Sequence, residues 1–226
     1  MCGRFTQTQS SEAIAAAFQL QTVPQSQPRY NIAPSQPVAA AIQTNHRREY
    51  RIFQWGLVPS WAKDPSIGNR LINARAETAA EKPSFRNAFK RRRCLIIADG
   101  FYEWQRGKGV QQKQPYYIQL KDRSLFSFAG LWEQWERGDG SYLETCTILT
   151  TEPNSLLQPI HNRMPVILPP QTYDTWLDPR LQGGRQVQRL LLPYAADAMQ
   201  AYPVSTLINN PRNEDPACIK STEENS

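Results

Sequence analysis

The sequence predicts an α+β fold, a single domain of many short strands flanked by short helices. Three observations carry that expectation. Short apolar runs, several alternating with polar positions, recur between Gly-, Pro- and Asn-bearing turns. Helical periodicity is confined to brief stretches between them. The composition shows no break, repeat or low-complexity linker, and 226 residues are long for one domain but short for two.

The elements follow in chain order. Phe5 leads into Thr6, Gln7, Thr8 and Gln9, an extended segment tucked into the body, so the N-terminus is anchored. Ser10 or Ser11 caps a helix to Leu20 that presents Ala13, Ile14, Ala17 and Phe18 on one face. Residues 21–35 are rich in Pro and Gln and read as an irregular connector. Val38–Ile42 and Tyr50–Trp55 are strands, with Asn45-His46 in the turn between them. A Pro- and Gly-bearing loop then leads to a helix from about Ala74 that ends before Pro83, and a second helix spans Phe85–Lys90. Cys94–Ala98 is the most apolar strand; it breaks at Asp99-Gly100, and Phe101–Trp104 resumes extended structure. Residues 106–114 form a polar hairpin loop before strands at Tyr116–Leu120, Leu125–Leu131 and Leu143–Thr150, the last two joined through Asp139-Gly140. Thr151-Glu152-Pro153-Asn154 starts a helix, Val166–Leu168 is a short strand, and helices follow at Gln171–Leu177 and Arg185–Leu192.

Lys and Arg number 26 against 20 acidic residues, a formal net charge of +6 that favours a polyanionic partner. Six Trp, nine Tyr and eight Phe are compatible with base stacking, although most aromatics of such a domain belong to its core. Cysteines 2, 94, 146 and 218 have no paired spacing, so neither metal nor cofactor is expected, and Cys94 and Cys146 read as buried packing thiols. No apolar stretch approaches the ~20 residues that span a bilayer. The expectation is a reduced, soluble, cytoplasmic monomer without membrane contact.

Cys2 stands directly behind the initiator methionine, and its side chain is small. Methionine aminopeptidases remove Met1 in that context, which exposes a 1,2-aminothiol. Such a group condenses with an aldehyde through its amine, and the thiol then closes on the imine carbon as a thiazolidine. Reference pKa values of about 7.7–8.0 for the amine and about 8.5 for the thiol leave both nucleophiles usable near neutrality. Closure is intramolecular and therefore gains a large effective concentration. The competing reading is a frayed terminus that does nothing. Gly3, which permits close approach, and Arg4, a permanent cation suited to phosphate, favour the first.

Four internal segments join reactive side chains to loop or strand-end positions. Asn73 and Arg75 could orient a sugar hydroxyl and clamp a phosphate, or serve as ordinary cap and surface residues. Glu103, between Tyr102 and Trp104, is a general acid and base if buried; period-two alternation also allows it to face solvent. His161, near Arg163, suits proton transfer, although a lone histidine is more often structural. The run Lys90–Arg93 either tracks a phosphate backbone or is a solvated helix end.

Taken in order, Met1-Cys2-Gly3-Arg4-Phe5, Tyr30-Asn31-Ile32-Ala33-Pro34, Trp55-Gly56-Leu57-Val58-Pro59-Ser60-Trp61, Ile72-Asn73-Ala74-Arg75-Ala76-Glu77-Thr78, Arg93-Cys94-Leu95, Asp99-Gly100-Phe101-Tyr102-Glu103-Trp104 and His161-Asn162-Arg163-Met164-Pro165 are far more specific than any one segment. Together they closely resemble the SRAP family, the SOS-response-associated peptidase-like proteins that process abasic sites. The resemblance runs from Cys2 to about Asn210. It implies an SRAP domain over residues 1–210 with a mostly antiparallel, barrel-like β core. Residues 211–226, polar and outside the motifs, are expected to be a flexible tail.

The resemblance further implies that the protein senses abasic sites in single-stranded DNA and cross-links to them through Cys2, shielding the lesion. Asn73 would position the cysteine and the opened sugar, Glu103 would transfer protons, and His161 would assist at the sugar oxygen. Arg4, Arg75 and Arg163 would hold flanking phosphates; Asn31, Pro34, Trp55 and Trp61 would line the DNA groove. Two alternatives stand beside it. One is a thiol (auto)peptidase with Cys2 as nucleophile, His161 as base and Asn73 orienting. The other is a non-covalent single-strand binder whose affinity collapses in high salt.

Overall fold

The computed structural model describes residues 2–44, 47–105 and 113–223. The first half of the chain gives β1 (Arg4–Gln7), α1 (Ser11–Phe18), β2 (Arg29–Ile32), β3 (Pro37–Thr44), β4 (Arg47–Trp55), β5 (Asn73–Arg75), α2 (Ala76–Ala79) and α3 (Arg86–Arg91). Then come β6 (Arg93–Ala98), β7 (Gly100–Gln105), β8 (Gln114–Leu120), β9 (Phe126–Glu136) and β10 (Tyr142–Thr151). The chain continues through β11 (Met164–Pro165), β12 (Ile167–Leu168), α4 (Tyr173–Leu177), α5 (Arg185–Gln188) and β13 (Met199–Pro203).

Pairings close a ring of five strands. β4 runs antiparallel to β3, β3 to β6, β6 to β9 and β9 to β10. β10 then meets β4 in parallel through Thr145↔Gln54 and Cys146↔Trp55. Such closure removes the free edges that an open sheet must protect. A second, antiparallel sheet has the order β13-β8-β7-β1-β2. The expected α+β domain with a mostly antiparallel, barrel-like core is the fold observed.

β6 shows why its sequence is so apolar. Leu95 and Ile97 join a core shared with α1, α3 and α4, whereas Cys94, Ile96 and Ala98 join the core against the five-stranded sheet. A strand buried on both faces reads as a continuous hydrophobic run. Phe5 reaches that second core from β1 and meets Trp55 and Phe128 edge-on at centroid distances of 5.2 and 5.6 Å. Full burial of a phenylalanine stabilises by about 2–3 kcal/mol, enough to anchor a chain end that would otherwise fray. At Gly56, with φ +133°, a Cβ would stand 2.7 Å from the carbonyl oxygen of Gly68, so the turn after β4 requires glycine.

Several local expectations are corrected. The connector 21–35 contains β2, which pairs with β1 through Phe5↔Ile32. Asn73–Arg75 is extended, and the helix that follows is a single turn, Ala76–Ala79. No helix starts at Thr151-Glu152-Pro153-Asn154; residues 155–160 are turns held by Asn154, whose Oδ1 accepts from the Leu157 amide. The 211–226 stretch is no loose tail as far as Glu223. Pro216–Ile219 is a 3-10 turn with Cys218 fully buried, and Ser221 bridges to Val204. The turn at Asn45-His46 and most of the 106–114 loop lie outside the described residues.

Candidate active site

Three elements bring the reactive residues together. β1 and β7 pair antiparallel through Arg4↔Tyr102, Phe5↔Phe101 and Thr6↔Gly100, a register that places Cys2 and Glu103 at the same end of the strand pair. Gly100 makes the pairing possible, because a Cβ there would collide with the Tyr117 ring. β5 lies parallel to β10, with Asn73 opposite Ile148, and Asn73 Nδ2 donates to the Cys2 carbonyl at 2.8 Å. Asn73 Oδ1 is buried and has no hydrogen-bond partner among the described residues. His161 ends the 155–160 turns, its amide donating to the Leu157 carbonyl at 2.8 Å.

The alternation left open for Glu103 is settled by burial. Phe101 joins the main core, while Tyr102 and Trp104 pack on the opposite face. Glu103 shares the Phe101 side and is 2% exposed. Burial raises its pKa above the ordinary carboxylate value. His161 Nε2 stands 4.0 Å from Glu103 Oε2. His161 Nδ1 is held by the Arg163 backbone, 3.1 Å from its amide nitrogen and 3.2 Å from its carbonyl oxygen, which orients the ring with Nε2 toward the carboxylate.

Cys2 departs from its reference chemistry. It is fully buried, and burial followed by the Glu103 charge pushes its thiol pKa far above the ordinary range. The thiol is therefore held protonated at neutral pH, donating toward the Arg4 carbonyl at 3.8 Å. A reaction through sulfur requires proton removal at the moment of attack, with Glu103 the adjacent group able to accept. Among the described residues no group of His, Cys, Asp and Glu is arranged to hold a metal ion.

The residues expected at a nucleic-acid surface divide into two sets. Trp61 is 56% exposed and Arg75 is exposed; Pro34 is partly so. Arg163 is engaged: its Nη1 and Nη2 donate to the two Glu77 oxygens at 2.7 and 2.9 Å, and Nη2 also donates to the Thr150 carbonyl. Arg4 Nη1 donates to Asn31 Oδ1 at 2.7 Å and to the Ile208 carbonyl at 2.8 Å. Asn31 is fully buried, and its amide donates to carbonyls of the C-terminal stretch. Trp55 is buried too, its Nε1 donating to the Ile72 carbonyl at 2.8 Å. Asn31 and Trp55 thus sit in the packing rather than along an open groove.

Comparison with known proteins fits this geometry. The family model described as SOS response associated peptidase (SRAP) matches residues 1–211. The chain belongs to the SRAP family. It is 47% identical over 224 residues to the abasic site processing protein YoqW of Bacillus subtilis, covering 98% of this chain and 100% of that one. It is 36% identical over 196 residues to mouse abasic site processing protein HMCES, covering 74% of this chain and 55% of that protein. A crystal structure of a protein from Bacteroides thetaiotaomicron superposes with a TM-score of 0.89 at 30% identity, over 98% of this chain and all of that one.

Within this SRAP domain, sequence reasoning missed two things. Glu77 neutralises Arg163, and its position two residues after Arg75 gives no sign of a partner 86 positions away. The basic run also divides. Arg93 is buried, donates to the carbonyls of Phe89, Lys90, Trp176 and Asp178, and has its pKa lowered by burial to about 10. Arg92 pairs with Glu133. Only Lys90 and Arg91 are exposed, so the run is half core fastening and half solvated helix end.

Proposed function

We propose that the protein processes abasic sites in single-stranded DNA by cross-linking to them through Cys2. The observation that carries this reading is the convergence of Cys2, Asn73, Glu103 and His161 at one end of the β1–β7 pair, in a family whose relatives are named for abasic-site processing. An abasic deoxyribose in its open form presents an aldehyde at C1′. With Met1 removed, the Cys2 amine adds to that carbon, and the carbinolamine loses water to give an imine. The thiol then adds to the imine carbon while its proton passes to nitrogen, so the net change is condensation with loss of one water.

Each neighbour has a matching role. Glu103, its pKa raised, gives a proton to the departing hydroxyl and takes one from sulfur. His161, its ring held by the Arg163 backbone with Nε2 toward that carboxylate, assists at the ring oxygen of the sugar. Asn73 fixes the Cys2 carbonyl and leaves Oδ1 for the opened sugar. Trp61 and Arg75 supply open stacking and cationic surface, and Arg163, once released from Glu77, supplies phosphate contact. Ring closure has a protective consequence: an imine acidifies the C2′ proton and invites β-elimination, whereas a thiazolidine has no iminium to drive it.

One denaturing gel tests the proposal. Abasic single-stranded, abasic double-stranded and intact oligonucleotides are incubated with the protein, with and without a blocked N-terminus. A heat-stable band with the first substrate, lost on blocking and of mass protein plus oligonucleotide minus water, is the expected result. Clean separation on boiling, or turnover of a peptide substrate instead, overturns it.

A further inference from the structure

The ladder between β1 and β7 stops at Arg4↔Tyr102, one step short of Glu103 and two short of Cys2. On the β7 side Glu103 and Trp104 stay paired with Tyr116 and Pro115 of β8. The β1 end that carries Cys2 has left the β1–β7 ladder and, apart from the Asn73 bond to the Cys2 carbonyl, is free to splay unless something else ties it to β7. Here the C-terminal stretch does. The Ile208 carbonyl accepts from Arg4 Nη1 at 2.8 Å on the β1 side, and Asn209 Oδ1 accepts from Trp104 Nε1 at 2.8 Å on the β7 side. These two residues adjoin in sequence and fasten the two strands at the level where the reactive groups begin.

The stretch is itself pinned to β2. Asn31 Nδ2 donates to the carbonyls of Ile208, Asn210 and Asn213 at 3.3, 2.9 and 3.0 Å. The Glu214 carboxylate accepts from the amides of Tyr30 and Asn31 at 2.7 and 3.1 Å and pairs with Arg29 Nε at 2.9 Å. Ile208 is fully buried beneath. One segment therefore spans three adjacent strands, at the end of the sheet that carries Cys2 and Glu103.

We infer that residues 207–214 form a clasp that fixes Cys2 against Glu103, with Asn209 and Glu214 as positioning residues. Its effect on cross-linking rests on the function proposed above; its effect on Cys2 does not. Reacting groups must be held within about 0.5 Å of productive geometry, and a clasp across both strand ends supplies that restraint where the ladder no longer does.

The test uses the full chain with Asn209→Ala and Glu214→Gln, both changes at exposed positions. Alkylation by iodoacetamide is followed residue by residue by mass spectrometry. Cys2 is expected to react roughly fivefold faster in each variant, the scale set by one net hydrogen bond, while buried Cys94 and Cys146 keep their parental rates. Asn209→Asp, which retains the acceptor, restores the parental rate at Cys2. With a saturating abasic strand, the variants form adduct more slowly at an unchanged half-saturating DNA concentration. Unchanged Cys2 reactivity overturns the clasp, and so does equal acceleration at all three cysteines, which reports simple loss of stability. Should the parent give no adduct, the proposed function fails, and the alkylation rates still decide the clasp.

Discussion

Cys2 with Glu103 and Trp61 with Arg75 differ first in their exposure to solvent. The first pair has essentially no solvent exposure and sits at the ends of paired strands, held by backbone bonds, core packing and Asn73. The second pair lies open, Trp61 on a loop and Arg75 at the entry to a single helical turn. Chemistry needs groups whose protonation is shifted and whose positions are fixed, and burial in a sheet delivers both. Binding a long polyanion needs charge and flat aromatic surface left in water until the partner arrives. Arg163 joins the two regions, because its amide orients His161 while its guanidinium reaches the exposed Glu77.

The comparison breaks most sharply at Cys2. Replacement by alanine, with Met1 still removed, keeps the amine and deletes only the sulfur. Heat-stable adduct is expected to vanish, replaced by a borohydride-trappable imine and nicked strand. A full yield of stable adduct from Cys2→Ala would remove the thiol from the mechanism.

Glu103→Gln comes next and separates chemistry from stability. Loss of a positioned acid–base group lowers rate by roughly 10²–10⁴-fold, so single-turnover adduct formation should fall on that scale with DNA affinity retained. Stability moves the other way. Because burial raises the folded-state pKa of Glu103, its relative contribution is intact below the unfolded carboxylate pKa and is lost as pH rises through the folded value. The glutamine variant should therefore melt higher than the parent near neutral pH, with the gap closing in acid. Melting curves that coincide at both pH values would mean that Glu103 is not held as a strained carboxyl.

The exposed region is probed by Trp61→Ala. A stacked base is worth about 1–3 kcal/mol, so affinity for a single strand should drop at least fivefold or so, whereas melting temperature and Cys2 alkylation stay put. A change in stability without a change in affinity would make Trp61 part of the packing instead.

The two regions were not equally legible in the sequence. Short alternating runs gave most strands of the barrel, and the unbroken Cys94–Ala98 run reflects a strand with a core on each side. β2 was missed because Arg29–Ile32 is short, lies among prolines and owes its extension to β1 rather than to its own propensity. The helix expected after Thr151 failed because Asn154 turns its side chain onto the local backbone, an alternative that polar residues offer to helix formation. At the site, motif order singled out Cys2, Asn73, Glu103 and His161. It could not separate Asn31 and Trp55, which are buried, from Trp61, which is open, since burial depends on strands brought in from elsewhere. The polar composition of the last stretch likewise hid its role, because its anchors are carbonyl groups that no side-chain pattern reveals.

Glu77→Gln sharpens the comparison by the smallest margin. The Glu77 carboxylate holds both terminal nitrogens of Arg163, and that hydrogen bonding depresses its pKa. A carboxylate of lowered pKa contributes stability above its unfolded value and loses it as pH falls through the folded one, so the pair is intact at neutral pH. Glu77 is half exposed, which keeps the contribution small. For a phosphate approaching Arg163, Glu77 is a competitor already in place and a negative charge besides. Removing the charge should strengthen binding roughly threefold and steepen the salt dependence by about one phosphate contact, a slope change near 0.7 for single strands. Anisotropy titrations of a strand carrying tetrahydrofuran, which has no aldehyde to react, isolate this binding step across several salt concentrations. Weaker binding with an unchanged slope would give Glu77 the opposite role, that of the residue that keeps Arg163 aimed at the DNA.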